Sequence, residues 1–473
     1  MRKAISNFSW ILFADGIGKA TNFGYSLLLS RSLAVSGFGI FSYIIAFVEL
    51  FSVLYDLGLN MGIIKQVASN PATERSFVSN AGKIKLVAAI VCFVLILSIS
   101  FSLGDNREIL FLLVIYLVGY TARSYTSMFQ SLAIAHERLK FLASFMILDN
   151  ALIITGAGLI FVFAPSLLNY IAYSSILSLV IASLWFYFGY YRRAVRGSFT
   201  VSGEKLALRN IFSISIPFFL VALFTNIYFR IDVTMLKHMK GSEDVAFYTA
   251  GYRIFMLIMT IPWVLNRNIL LPKILKDESG EGEMVLKSFP QYLRITLILT
   301  FVVAFAVFTF SQFILTSLFG NQYAHGSLPL SILIWSVPFC TLGAYFNNII
   351  IRESPKLLAL ITGAILVPTN VLLNIPLIPR FGGTGAAIST LVTESIGCFA
   401  GYLACRRLAF NLPIHFRQDF LPSFTALLAI LLAVVFVNFW ALKIGLIGVY
   451  ILIVYLLGGF KQLDLSHIIK GEK

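Results

Sequence analysis

Residues 109–134 read Ile-Leu-Phe-Leu-Leu-Val-Ile-Tyr-Leu-Val-Gly-Tyr-Thr-Ala-Arg-Ser-Tyr-Thr-Ser-Met-Phe-Gln-Ser-Leu-Ala-Ile. As a helix this run can cross a bilayer, whose hydrocarbon core takes ~20 mainly apolar residues. Yet Tyr116, Tyr120, Arg123, Ser127 and Gln130 recur at spacings of four and three, so one face of the helix is polar and aromatic along its length. Lipid cannot face that stripe. It belongs either in hydrogen-bonded contact with another helix or against a wet cavity, and an arginine, which needs water or an anion, favours the cavity.

The rest of the chain follows the same pattern. Of 473 residues, 59% are apolar and only 12% charged, and the mean hydropathy is +0.88. Soluble domains carry about 25% charged residues, so this is an all-α polytopic membrane protein. A ruler of ~20 apolar residues finds fourteen spans, at 10–30, 38–64, 84–103, 109–134, 141–163, 170–191, 211–236, 245–270, 291–318, 328–351, 357–378, 383–404, 421–441 and 444–460. Arg2 and Lys3 precede the first run as in a signal peptide, but the run continues through Asp15 and Lys19 with no Ala-x-Ala pattern and reads as a retained span. The segments between spans are too short for a soluble catalytic domain.

Charge sets the orientation. With a cytoplasmic N-terminus, the inner segments hold 24 Lys and Arg, Lys85 in segment 65–85 among them, against 6 in the outer loops. This bias puts both termini in the cytoplasm and makes the net charge of +15 a topology signal rather than a nucleic-acid footprint. No catalytic constellation, cofactor motif or metal spacing stands out: Cys92, Cys340, Cys398 and Cys405 form no Cys-x-x-Cys, the five His lie in loops or at span ends, and no phosphate-binding GxxxxGK[ST] is present.

The chain also resembles itself. Glu137-Arg138-Leu139-Lys140-Phe141-Leu142-Ala143 opens span five, and Glu353-Ser354-Pro355-Lys356-Leu357-Leu358-Ala359 opens span eleven. Arg192-Arg193 follow span six and Arg406-Arg407 follow span twelve. Six spans per half is an even number, so the expected architecture is two six-helix lobes in parallel repeat plus a C-terminal helix pair, a plan suited to alternating access. The boundaries are 1–191 for the first lobe, 192–209 for a cytoplasmic linker, 210–407 for the second lobe and 408–473 for the last pair and tail.

Charges inside spans mark the candidate site, because each costs at least ~2.5–3.5 kcal/mol at the bilayer centre and needs a cavity or a partner. Asp15 and Lys19 stand one turn apart in span one, where they either pair with each other or face a cavity; Glu49, Asp56 and Asn60 share a face of span two; Asp149 in span five is a candidate partner for Arg123. Arg230 and Asp232 in span seven point to different sides and cannot pair with each other. Arg253 lies in span eight, and Arg267 and Arg294 near the boundary are expected to snorkel. Six cations and six carboxylates balance, so mutual neutralisation is arithmetically open. Against it, arginines in both lobes would suit an anionic phosphate group, and Tyr116 and Tyr120 could stack on sugar rings.

Several motifs in order resemble the polysaccharide (O-antigen repeat-unit) flippases of the multidrug/oligosaccharidyl-lipid/polysaccharide exporter superfamily. They are Gly37-Phe38-Gly39-Ile40-Phe41-Ser42-Tyr43, Asp56-Leu57-Gly58-Leu59 with Lys65 following, Arg230-Ile231-Asp232, Gly320-Asn321-Gln322-Tyr323, and Gly382-Gly383-Thr384-Gly385-Ala386-Ala387-Ile388-Ser389-Thr390. Leu57 stands where a Phe is usual. The resemblance implies a flippase, not an enzyme, moving an undecaprenyl-diphosphate-linked oligosaccharide by alternating access, with membrane lipid and polysaccharide-assembly proteins as further partners. On that reading Arg123, Arg230, Arg253 and Lys19, with Tyr116 and Tyr120, meet the substrate, while Asp15, Asp56, Asp149 and Asp232 couple an ion or pair with the cations. A cation-coupled multidrug exporter or a peptidoglycan-precursor flippase of the same fold remains open. So does an integral-membrane glycosyltransferase or polymerase, although the outer loops are short and almost without carboxylates.

Overall fold

The computed structural model describes residues 2–192, 208–266, 289–408 and 440–456. Among the described residues there are helices and no strands. A lipid core dictates this, since backbone N–H and C=O groups there find partners only within a helix or a closed barrel. The 192–209 linker, apart from its ends, lies outside the described residues, as do the span expected at 421–441 up to residue 439, the tail from 457, and Arg267.

By their contacts, residues 1–249 and 250–473 form two compact units. The first holds α1 (Arg2–Ser32), α2 (Val35–Leu50), α3 (Ser52–Asp56), α4 (Leu59–Ser69), α5 (Glu74–Ser102), α6 (Arg107–Ala135), α7 (Leu139–Phe163), α8 (Leu167–Leu184, continued by a π-helical turn to Tyr191) and α9 (Leu208–Lys240). Most of α10 (Ser242–Leu265) belongs to the second unit, with α11 (Phe289–Phe319), α12 (Ser327–Leu333), α13 (Ser336–Glu353), α14 (Pro355–Leu360), α15 (Val367–Phe381), α16 (Gly383–Arg407) and α17 (Trp440–Leu456). Among the described residues, eight helices are long and apolar enough to cross a membrane, or ten if each of two bent pairs is one span. The helix α1 runs unbroken over the expected span 10–30, and α10 over 245–265 of the expected span 245–270, without being among the eight.

Each unit has its own core. In the first, Leu59 and Ile63 of α4, Phe77 and Ala81 of α5, Phe129 of α6 and Trp185 pack together. In the second, Phe301 of α11, Phe346 and Ile349 of α13, Cys405 of α16 and Val454 of α17 do so. The two faces of α5 show how the helices are oriented: Leu86, Val87, Ile90, Val91 and Val94 are exposed, whereas Ala88, Ala89, Cys92 and Ile96 are buried. Lys85 lies on the buried face and is 1% exposed. The sequence counts it with the segment 65–85, whereas in the structure it is enclosed by the bundle. Eleven residues into α5, it sits about 17 Å along the helix axis from the helix start.

The span begun by α2 is broken. Its two parts, Val35–Leu50 and Ser52–Ser69, meet at 46°. A second break follows α3, where Leu57 (φ 50°) and Gly58 (φ 76°) both adopt the left-handed conformation. Glycine takes that conformation without penalty, whereas an L side chain costs roughly 1–2 kcal/mol. Here a Cβ on Gly58 would also stand 2.2 Å from the Ser215 carbonyl oxygen of α9. Replacement Gly58→Ala is expected to lower the thermal midpoint of the detergent-solubilised protein by an amount equivalent to more than ~1 kcal/mol. The control Gly158→Ala, in open space on α7, should be neutral or slightly stabilising; fluorescence-detected size exclusion after a heat step measures both.

Candidate functional site

Four helices of the first unit, α2, α3, α6 and α9, bring polar groups together at the bend of the broken span. Glu49 stands at the end of α2, just before the bend, and its carboxylate pairs with the Arg230 guanidinium of α9. One turn earlier on α9, Asn226 Nδ2 donates to Ser52 Oγ of α3 at 3.0 Å. Tyr120 of α6 meets Tyr55 of α3 edge-on, with ring centres 5.1 Å apart, and lies tilted against Tyr116 at 6.2 Å. Tyr116 is buried among these rings.

One turn further along the stripe is Arg123. Its Nη2 lies 3.8 Å from Asp149 Oδ2 of α7, and its side chain is 54% exposed. That separation exceeds hydrogen-bond reach, so the five N–H donors of the guanidinium are not committed to this carboxylate. Arg230 is more enclosed, at 34%. The site thus offers one arginine held by contact and one held only by charge. A phosphate arriving at either could accept two parallel N–H bonds through two of its oxygens.

The remaining sequence-derived candidates take different places. Lys19 pairs with Asp15 on α1 at 3.2 Å, the internal option for those two residues. Asp232 is buried and accepts a hydrogen bond from Tyr248 Oη at 3.1 Å, on another side of α9 from Arg230. Arg253 lies on α10 in the second unit. Asp56 pairs with Lys85, whose Nζ donates to Asp56 Oδ1 at 2.9 Å and to Ser124 Oγ at 3.1 Å. On the α6 stripe, Ser127 accepts from Asn60 Nδ2 of α4 at 2.9 Å, so the stripe is partly helix contact and partly open ground around Arg123. Sequence reasoning paired Arg123 with Asp149 but gave Arg230 no partner and counted Lys85 with segment 65–85 rather than among the charges inside spans. The signal for Lys85 was helical phase: residues 81, 85, 88, 92 and 96 fall on one side of α5 and are all buried.

With this geometry in view, comparison with known proteins is informative. Residues 4–275, more than half of the chain, match the family described as "Polysaccharide biosynthesis protein". The chain belongs to that family. Over 408 residues it is 24% identical to a Shigella flexneri protein provisionally named an O-antigen transporter, a match covering 81% of this chain and 93% of that protein. Among solved structures, the family member resembles a lipid II flippase MurJ in an inward closed conformation, with a TM-score of 0.71, 14% identity, and coverage of 96% of this chain and 99% of that one. It also resembles an inward-facing multidrug resistance MATE family transporter of the MOP superfamily, with a TM-score of 0.62, 16% identity, and coverage of 83% and 94%. The likeness to these structures shows a shared all-helical fold, and these relatives are transporters and flippases rather than enzymes.

The two arginine pairs should respond differently to loss of their carboxylates. Asp149→Asn removes a long contact to a half-exposed arginine and should cost under about 1 kcal/mol. Glu49→Gln strips the contact from Arg230 and should cost about 1–3 kcal/mol. Thermal melts of the two purified variants test the order.

Proposed function

We propose that this chain is a flippase for a lipid-linked oligosaccharide whose headgroup carries a diphosphate, moving it from the inner to the outer leaflet of the cytoplasmic membrane. The observation that carries the reading is Arg123: a guanidinium within the spanning part of α6, more than half exposed, beside Tyr120 and out of hydrogen-bond reach of its nearest carboxylate. No soluble-protein reason keeps an arginine there, and lipid does not tolerate one. A phosphate supplies both the missing charge and the missing acceptors.

The physics of the substrate fits. Sugars and phosphates cannot be dissolved in hydrocarbon, whereas a lipid tail can stay in it, so the transporter needs to shelter only the headgroup. An inside-negative potential favours outward movement of negative charge by ~2.3 kcal/mol per charge per 100 mV. Glu49 then acts as a place-holder for phosphate at Arg230, and Tyr120 offers a ring for a sugar. The excess of Lys and Arg in alternate loops supports cytoplasmic termini. Kinship with the Shigella flexneri protein supports a polysaccharide-precursor substrate over a drug or a peptidoglycan precursor, and the half-exposed guanidinium of Arg123 argues against a cationic drug.

The test is reconstitution in proteoliposomes loaded with fluorescent lipid-linked sugars. Arg123→Gln and Arg230→Gln should each slow flipping of a diphosphate-linked glycan at least about tenfold, equivalent to ~1.4 kcal/mol, with unchanged yield and monodispersity. Equal flipping by Arg123→Gln, or equal handling of an uncharged glycolipid by the unaltered protein, would sink the proposal.

A further inference from the structure

The least expected group in the first unit is the ammonium of Lys85. Its side chain is fully enclosed, while that of Asp56 is 28% exposed. Of the three N–H donors on Nζ, one goes to Asp56 Oδ1 and one to Ser124 Oγ. Asp56 is the charged group facing it. The neighbouring groups are engaged elsewhere: Arg123 on α6 faces Asp149, Tyr125 Oη on α6 donates to the Gly82 carbonyl at 2.8 Å, and Glu74 at the start of α5 pairs with His136. Asn60 of α4 ties the pair to the break, its backbone N–H pointing to Asp56 Oδ1 at 3.3 Å and its side chain reaching Ser127. The pair therefore sits on the left-handed break at Leu57 and Gly58, with the lysine dry and the carboxylate at the edge of water.

We propose that Lys85 and Asp56 form a proton-exchange site that sets the bend of the second span. A proton passes along the existing hydrogen bond from Nζ to Oδ1: an N–H bond breaks and leaves its electron pair on nitrogen, and an O–H bond forms on the carboxyl. The partly exposed Asp56 then gives that proton to water, leaving a neutral amine and a carboxylate; the reverse sequence takes one proton back. In the protonated state an ion pair clamps the break to α5. In the deprotonated state the Asp56 charge has no cation beside it and is drawn toward water, which frees the break. Glu49 lies seven residues earlier on the same span, across the α2–α3 bend, and contacts Arg230. Motion at the break therefore changes how firmly Glu49 holds the arginine assigned above to phosphate. This coupling rests on the flippase reading; the proton site itself does not.

The decisive variant is Lys85→Arg, which keeps the charge but cannot release it. Two measurements are made, one free of substrate. In detergent, the thermal midpoint of the unaltered protein should rise with pH relative to that of Lys85→Arg, because a lysine that gives up its proton in the folded bundle still holds it in the unfolded chain, whereas arginine holds it in both. In proteoliposomes, Lys85→Arg should flip substrate at least about tenfold more slowly and without the pH dependence of the unaltered protein. The double variant Asp56→Asn, Lys85→Met removes both charges at similar volume, a change that often leaves stability intact; it should fold and be equally slow, and it serves if Lys85→Arg does not fold. Superimposable midpoint-against-pH curves for the unaltered protein and whichever variant folds overturn the proton site, whatever transport shows. Wild-type flipping rate and pH profile in that variant overturn its role in transport. If the unaltered protein flips none of the lipids offered, the flippase reading fails and the melting curves alone decide the site.

Discussion

A charge inside a bilayer must have water, a counter-ion or a ligand, and this requirement orders the first unit. Lys19 is answered by Asp15, Lys85 by Asp56, Arg230 by Glu49 and Arg123 by Asp149. The pairs differ in tightness and enclosure. Lys85 is dry and hydrogen-bonded, Arg230 is in contact but a third exposed, and Arg123 is half exposed with only a long-range partner. Tight, dry pairs suit holding or switching a structure. Loose, wet ones suit an exchange of partner, and that gradient separates Arg123 and Arg230 from the enclosed Lys85.

The broken span α2–α3–α4 carries both kinds of pair, and α9 follows it along its length. At one end a Cβ on Gly39 would stand 1.8 Å from the Ser242 carbonyl oxygen just past α9, and at the other Gly58 abuts Ser215. Such close backbone approach through small residues is how helices associate where no hydrophobic drive exists between them. Polar links complete the seam: Tyr43 Oη donates to Asp105 at 2.6 Å and lies 3.1 Å from His238 Nε2, while Asn226 and Arg230 reach Ser52 and Glu49. Bending of the span at Phe51 or at Leu57 and Gly58 is thus felt directly by α9.

Much of this could be read in the residue order. The apolar runs dictated helices and their membrane setting, and the four-and-three spacing on α6 singled out Arg123. The motif Asp56-Leu57-Gly58-Leu59 was legible as a family resemblance within a single expected span, and its left-handed break came only with the structure. Arg123 and Asp149 were paired on depth alone, because charges at similar depth on successive spans have few other choices. The α6 stripe was only half legible: spacing shows that Tyr116, Tyr120 and Ser127 face the same way, but not that Tyr55 and Asn60 already occupy that side.

Lys85 shows where reading along the chain stops. A hydropathy window treats a lysine at the edge of an apolar run as the end of the span, because hydration of its ammonium outweighs the flanking apolar residues. Inside the bundle that cost is offset by one carboxylate from thirty residues earlier and one hydroxyl from forty residues later. By itself the sequence determined that helices form, that they are membrane-spanning, and which of their faces are polar, since these follow from periodicity and transfer energy within single segments. Which charge meets which counter-charge, and so which arginine stays open to a ligand, was decided only when distant helices packed, because ion pairing depends on distances of a few ångströms that no local pattern encodes.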